Sequence, residues 1–316
     1  MVHLRLVVPR ERIEPVLDLL DGARSVINVI HLRDAARTPS GDVVLCDVAR
    51  EDASILLADL KDLKVDEHGS IAIEFIDTAV SRAAELAEKR APGRVADAVV
   101  WEEVTERTSE EATLSVTFLI FMVLAGLIAS VGIYQNSAIL IVGAMVVGPE
   151  FGPIAGFCVA VVQRRTGLAV RSLRALLIGF PLTIGAVALS SLIFKATSIT
   201  PDAFTVTSHS LSDSIAHPDF FAAFVAFCAG IAGMLSLTTA KSGALVGVLI
   251  SVTTIPAAAN IGVTAAYAEW GSFGRSLGQL VLNIASLFVA GIATLAVQRA
   301  VFERRRAASR AQRAPA

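Results

Sequence analysis

Residues 2–8 alternate apolar and polar, with Val2, Leu4, Leu6 and Val8 on one face and His3 and Arg5 on the other, the period of two that marks a half-buried strand. Ile13, Val16, Leu17 and Leu20 then recur at helical spacing, with Pro15 in the first turn, where proline is tolerated, and Gly22 where a helix stops. Two more strands, Ser25–Arg33 and Asp42–Ala49, flank a turn at AARTPSG. Glu51–Leu63 is helical through Leu56, Leu57 and Leu60, and Ser70–Ile76 alternates through Ile71, Ile73 and Phe75. The order βαββαβ predicts an α+β ferredoxin-like soluble domain over residues 1–77, an antiparallel sheet with two helices on one face. His31 and His68, single histidines in or beside strands, read as structural or solvated.

Residues 78–111, rich in Ala, Glu and Arg and broken at Ala91-Pro92-Gly93, predict a helical linker ending in the charged, solvated run WEEVTERTSEE. The pattern then changes to apolar runs near the ~20 residues that a membrane-spanning helix needs. Candidate spans are Ala112–Tyr134, Ser137–Val162, Leu168–Phe194, Phe220–Thr239, Gly243–Tyr267 and Leu277–Val297, six in all within residues 112–298. A basic tail, residues 299–316, closes the chain.

Charge sharpens this division. Residues 1–111 carry 14 Lys+Arg and 23 Asp+Glu, whereas the 187 residues from 112 to 298 carry 7 and 5, so the mean hydropathy of +0.66 belongs to the second part. The 2–3 loop region holds Arg164, Arg165, Arg171 and Arg174 and the tail six arginines, while the 3–4 loop has Lys195 with Asp202, Asp213 and Asp219. By the positive-inside rule, both termini and the head are expected on the cytoplasmic side of the cell inner (plasma) membrane, as an even number of spans requires. The N-terminus has no apolar run of signal-peptide length, so insertion is expected to be directed by the first span. Cys46, Cys158 and Cys228 lie far apart with no metal-ligand spacing, which argues against a disulfide framework or a zinc site and for a reducing compartment around the head. No cofactor is expected, and the acidic head argues against nucleic acid as a partner.

Spans 1–2 and 4–5 resemble one another at an offset of 104 residues: Ala125-Gly126 matches Ala229-Gly230, and Val142-Gly143 matches Val246-Gly247. NSAILIVGAMVVGPEFGPIAG carries Pro149 and Pro153 in mid-span, and KSGALVGVLISVTTIPAAANIG carries Pro256 followed by Asn260. Three spans per unit, an odd number, make this an inverted 3+3 repeat. Matched Pro/Gly breaks in such a repeat point to a transporter-type midplane site, because proline frees backbone groups that lipid cannot satisfy. The competing reading is that the breaks are kinks that help helices pack.

Glu150, about 13 residues into its span, is costly at membrane depth unless protonated, paired or wet, and is a candidate carrier of a proton or cation. Ser251, Thr253, Thr254 and Asn260 offer uncharged oxygens, of the kind hard cations accept, around the matching break. The expected substrate or ion site is therefore Glu150, Pro149, Pro153, Thr253, Thr254, Pro256 and Asn260. Asn136 and Asn283 read as interhelical glue, and Lys241 as a positive-inside residue.

Asn136–Gly156 and Ser242–Val263 resemble the two signature segments of the bacterial and archaeal integral membrane proteins called domain of unknown function 389, over roughly residues 110–265. That family usually has an apolar residue where Glu150 stands and commonly a Pro-Pro pair where this chain has Ile255-Pro256-Ala257. The resemblance implies architecture and carries no assigned activity. The foremost expectation is thus a transporter or channel-like protein for a small ion or solute, a homo-oligomer in the lipid bilayer, regulated or assembled by its head. The alternative is a non-transporting scaffold or sensor whose head binds a cytoplasmic ligand or partner. An enzyme is not expected, since no catalytic His/Asp/Ser or metal-ligand set occurs in the spans.

Overall fold

In a computed structural model describing residues 1–76, 81–90, 99–199, 218–239, 248 and 253–313, the N-terminal alternation forms β1 (Val2–Val8). Helix α1 (Ile13–Asp21), strands β2 (Val26–Arg37) and β3 (Ser40–Val48), helices α2 (Arg50–Asp62) and α3 (Val65–His68), and strand β4 (Ser70–Phe75) follow. The sheet is antiparallel, in the order β2-β3-β1-β4, with Leu4 opposite Cys46 on one side and Ile73 on the other. Leu4, Leu6, Val44 and Cys46 of its inner face bury against Val16 and Leu20 of α1 and Leu56, Leu57 and Leu60 of α2. Burial pushes the Cys46 thiol up to about 12, so it stays neutral at physiological pH.

The hairpin is tighter than the sequence predicts. Ala36 pairs with Gly41 and Arg37 with Ser40, which draws most of AARTPSG into the ladder and leaves Thr38 and Pro39 as the turn. Small and polar residues carry no period there, so backbone pairing is what extends the strands. Between Ile27 and Ile30, and again between Leu32 and Ala36, the register slips, with Asn28 (φ 54°) and Asp34 (φ 51°) left-handed. The amide of Asp34 donates to Asp42 (2.9 Å) and His31 bonds the other carboxylate oxygen (2.7 Å), which together hold Asp42 below the usual carboxylate range. His31 is thus a structural residue of this irregular strand.

The compact unit built on the sheet comprises residues 1–103 and 300–316. Helix α4 (Arg82–Arg90) packs against β2. The start of α5 (Trp101–Glu111) docks on α2 instead of lying solvated: the Trp101 amide donates to Ser54 Oγ (3.0 Å), Lys61 pairs with Glu102 (2.9 Å) and Arg50 with Glu103 (3.0 Å). Trp101 is buried, so the linker expected to be free is anchored by its aromatic residue and two ion pairs.

The second unit, residues 104–299, holds α6 (Val116–Tyr134), α7 (Ala138–Val147), α8 (Phe151–Gln163), α9 (Thr166–Ala196), α10 (Phe220–Thr238), α11 (Thr254–Ala266) and most of α12 (Trp270–Arg313). Among the described residues α6, α9, α10 and α12 are each long and apolar enough to cross a bilayer, and α7 with α8, bent by 49° at a short break, makes a fifth. Their outer faces display Leu177, Leu189, Phe220 and Val289, each more than 60% exposed, an apolar surface suited to lipid rather than water. Much of the expected span Gly243–Tyr267, with Lys241, Ser242 and Ser251, lies outside the described residues, as do Asp202 and Asp213. Helix α11 is buried almost all round, a small-residue element inside a helical bundle.

Two boundaries change. The first span begins at Val116, because Ser115 caps it, accepting from the Phe118 amide (3.0 Å). The last helix does not stop near Val297: it runs on to Arg313, so the basic tail is helical. Within the sheet-bearing unit, Arg306 donates to Asp59 (3.1 Å) and Asp62 (2.9 Å) of α2. Arg306→Ala in the full-length chain is expected to weaken this docking by about 1 kcal/mol, read as roughly fivefold faster amide hydrogen exchange over residues 300–313; unchanged exchange would show that the pairing contributes nothing.

Candidate functional site

The break between α7 and α8 follows from Gly148-Pro149. A residue before proline is driven to extended backbone, and Gly148 takes ψ 128° as the C-cap of α7. Glu150 then stands as the N-cap of α8, and Pro153 is that helix's third residue, where no intrahelical N–H is lost. In α11 Pro256 is likewise the third residue, after Thr254 and Ile255. Helices α8 and α11 each have 13 residues and carry their proline at the same place. The proline that matches Pro256 is therefore Pro153, while Pro149 ends the preceding helix.

Glu150 is 4% exposed, and its Oε1 accepts a hydrogen bond from Thr254 Oγ1 at 2.7 Å. This joins the first residue of α11 to the residue that opens α8. The second carboxylate oxygen, Oε2, is buried without a partner among the described residues. Next to Thr254, Thr253 Oγ1 accepts from Asn283 Nδ2 (2.8 Å), and Asn283 Oδ1 accepts from Gln279 Nε2 (3.1 Å). Asn260, expected at the same site, lies further along α11 and donates to Ser276 Oγ (3.0 Å) instead. The expected residues thus divide: Glu150 meets Thr254, Thr253 meets Asn283, Asn260 meets Ser276, and Pro153 and Pro256 shape helix starts.

Reasoning from sequence missed Ser276 and Gln279, and read Asn283 only as glue. The signal was available: Ser272, Ser276, Gln279 and Asn283 recur at spacings of four, three and four, one helical face, and all are buried. It also missed a cavity of about 320 Å³ at the break, between the end of α5, the start of α6 and Gly148, Pro149, Phe151 and Gly152. Among the described residues no group of three His, Cys, Asp or Glu side chains is placed to hold a metal ion.

Apolar helices of this length, one of them broken, are compatible with a polytopic helical membrane protein. Residues 145–289 match the family model described as Domain of unknown function (DUF389), which bears out the resemblance of the two break-bearing segments to that family. An uncharacterized protein of Methanocaldococcus jannaschii is 26% identical over 220 residues, 66% of this chain. The match spans 61% of that relative's length. No solved structure matches the chain.

Proposed function

We propose that the protein carries a small ion or solute across the membrane through a site at its paired helix breaks. The observation that carries this reading is the buried Glu150–Thr254 hydrogen bond between the two break-bearing segments. A carboxylate at such depth is expensive, and a scaffold needing only close packing has no use for it.

The reading includes six spans in an inverted 3+3 repeat, and the element bounds support it. Helices α6 and α10 are each 19 residues long and start 104 residues apart, capped by Ser115 and Asp219, and α9 and α12 start 104 apart. Cytoplasmic termini in an inner membrane follow from the arginines around 164–174 and in the tail. For the head, the strand order supports a ferredoxin-like platform that assembles a homo-oligomer or regulates transport. Ile30 and Leu32, 50% and 45% exposed on β2, are apolar positions that such assembly would cover.

The test is uptake of Na⁺, K⁺, protons, chloride and glucose into proteoliposomes of the full chain. Wild type is expected to exceed empty vesicles for at least one of them. Glu150→Gln, which keeps shape but removes charge, is expected to lower that flux tenfold or more, on the order of the ~1.5–3 kcal/mol carried by a charged hydrogen bond. Asn260→Ala, lying off the Glu150–Thr254 contact, is expected to reduce flux less. No flux above empty vesicles, or a Glu150→Gln protein as active as wild type, would sink the proposal.

A further inference from the structure

Resting on that reading, we infer that the carried species is a small monovalent cation and that its path has two halves meeting at Glu150. One half is the cavity at the break. Glu110 and Glu111 stand at it, exposed, with Thr113 and Ser115, and Gly148 and Pro149 form its wall beside Glu150. Arg107 pairs with Glu111 (3.1 Å), which leaves Glu110 to keep the mouth acidic. Behind that wall Glu150 Oε2, buried, lies against Gly148: a Cβ built there would stand 2.3 Å from it.

The other half is the buried stripe Ser272, Ser276, Gln279 and Asn283 on α12. It reaches Glu150 through hydroxyls: Gln279 to Asn283, Asn283 to Thr253, and the adjacent Thr254 to Glu150. These halves lie toward opposite ends of the bundle. Tyr134, at the end of α6, contacts Tyr267, three residues before the start of α12 (ring centroids 6.4 Å apart, tilted), so α12 starts near where α6 finishes, whereas the cavity adjoins the start of α6.

The sign of the substrate comes from the atoms left over. Polar seams that only hold helices together satisfy their members. Here, among the described residues, Gln279 Oε1 and Glu150 Oε2 are buried without a partner, and both are acceptors. What they lack is a cation or a donor. Carboxylate, hydroxyl and amide oxygens as the acceptors, without a described group of three His, Cys, Asp or Glu, suit a hard alkali cation rather than a transition metal. The nearest fixed positive charge on the stripe, Arg275, donates to Ser272 at its outer end, not at its centre.

The experiment uses the full chain in proteoliposomes, with Na⁺ and K⁺ as cation probes and chloride and glucose as the alternatives. Wild type should take up a cation and neither of the others. Glu110→Gln with Glu111→Gln, at exposed positions, should raise the half-saturating cation concentration about threefold to tenfold with the maximal rate held, as loss of local steering does. A purely structural role would leave that concentration unchanged. Gln279→Leu, which removes the unpaired acceptor, should lower the maximal rate at least tenfold while its melting midpoint stays within a few degrees of wild type. Cation uptake indifferent to both changes would overturn the two-part path. Uptake of chloride or glucose alone would overturn the cation assignment and leave transport standing; no uptake of any probe, with no proton flux either, would overturn both.

Discussion

Gly148→Val is expected to stop transport in a protein that still inserts and folds. A Cβ at Gly148 would lie 2.3 Å from Glu150 Oε2 and 2.7 Å from Ile255 Cγ1. The carboxylate end is the softer of these neighbours, so it swings away from Thr254, and a shift of about 1 Å at a reacting or binding group costs on the order of a hundredfold in rate. The stability cost is smaller, about 1–3 kcal/mol for overpacking one site. Flux in proteoliposomes and the thermal midpoint in detergent are the two readouts. A variant that transports normally would mean that the wall beside Glu150 is not part of the route.

The second large effect falls on assembly rather than on flux. Gly262→Leu should prevent accumulation of a monodisperse protein, because a Cβ there would stand 2.8 Å from the Ile184 carbonyl oxygen and from Val187 Cβ. Backbone cannot yield as a flexible side-chain tip does, and α11 is packed on its other sides too. The destabilisation sits at or above the upper end of the ~1–3 kcal/mol range for overpacking. Gly185→Leu is the control: among the described residues nothing lies within 4 Å of its Cβ position, so size-exclusion profile and yield should match wild type. If both variants behave alike, close approach of α11 to α9 is not what holds the bundle together.

The head was legible because its two periods are clean. Leu4, Leu6, Val16, Leu20, Leu56 and Leu60 each announce a face, and all six are buried in one cluster. Its hairpin was not, since residues 34–41 carry no apolar rhythm and their conformation is decided by pairing with β3. Among the apolar helices, Glu150 was legible as a carboxylate beside two prolines in an apolar stretch. Its partner was not: sequence offers Ser251, Thr253, Thr254 and Asn260 as equivalent oxygens, and only the way α8 and α11 abut selects Thr254. Gln279 was hidden differently: a single polar residue in an apolar run shows its place only as part of a helical stripe with Ser272, Ser276 and Asn283. The cavity has no linear signature at all, because α5, α6 and the break each contribute a few residues to it.

The irregular β2 strand has a consequence for solubility. A twelve-residue strand at the edge of a sheet, with Ile30 and Leu32 exposed, is a template on which another chain can add a strand. Two register slips and two left-handed residues bend it away from flatness, and α4 lies against it. Arg33, Asp34 and Arg37 place charge along the same stretch. The head thereby resists strand-to-strand aggregation, a protection most needed in a membrane protein whose copies are confined to two dimensions and meet at high local concentration.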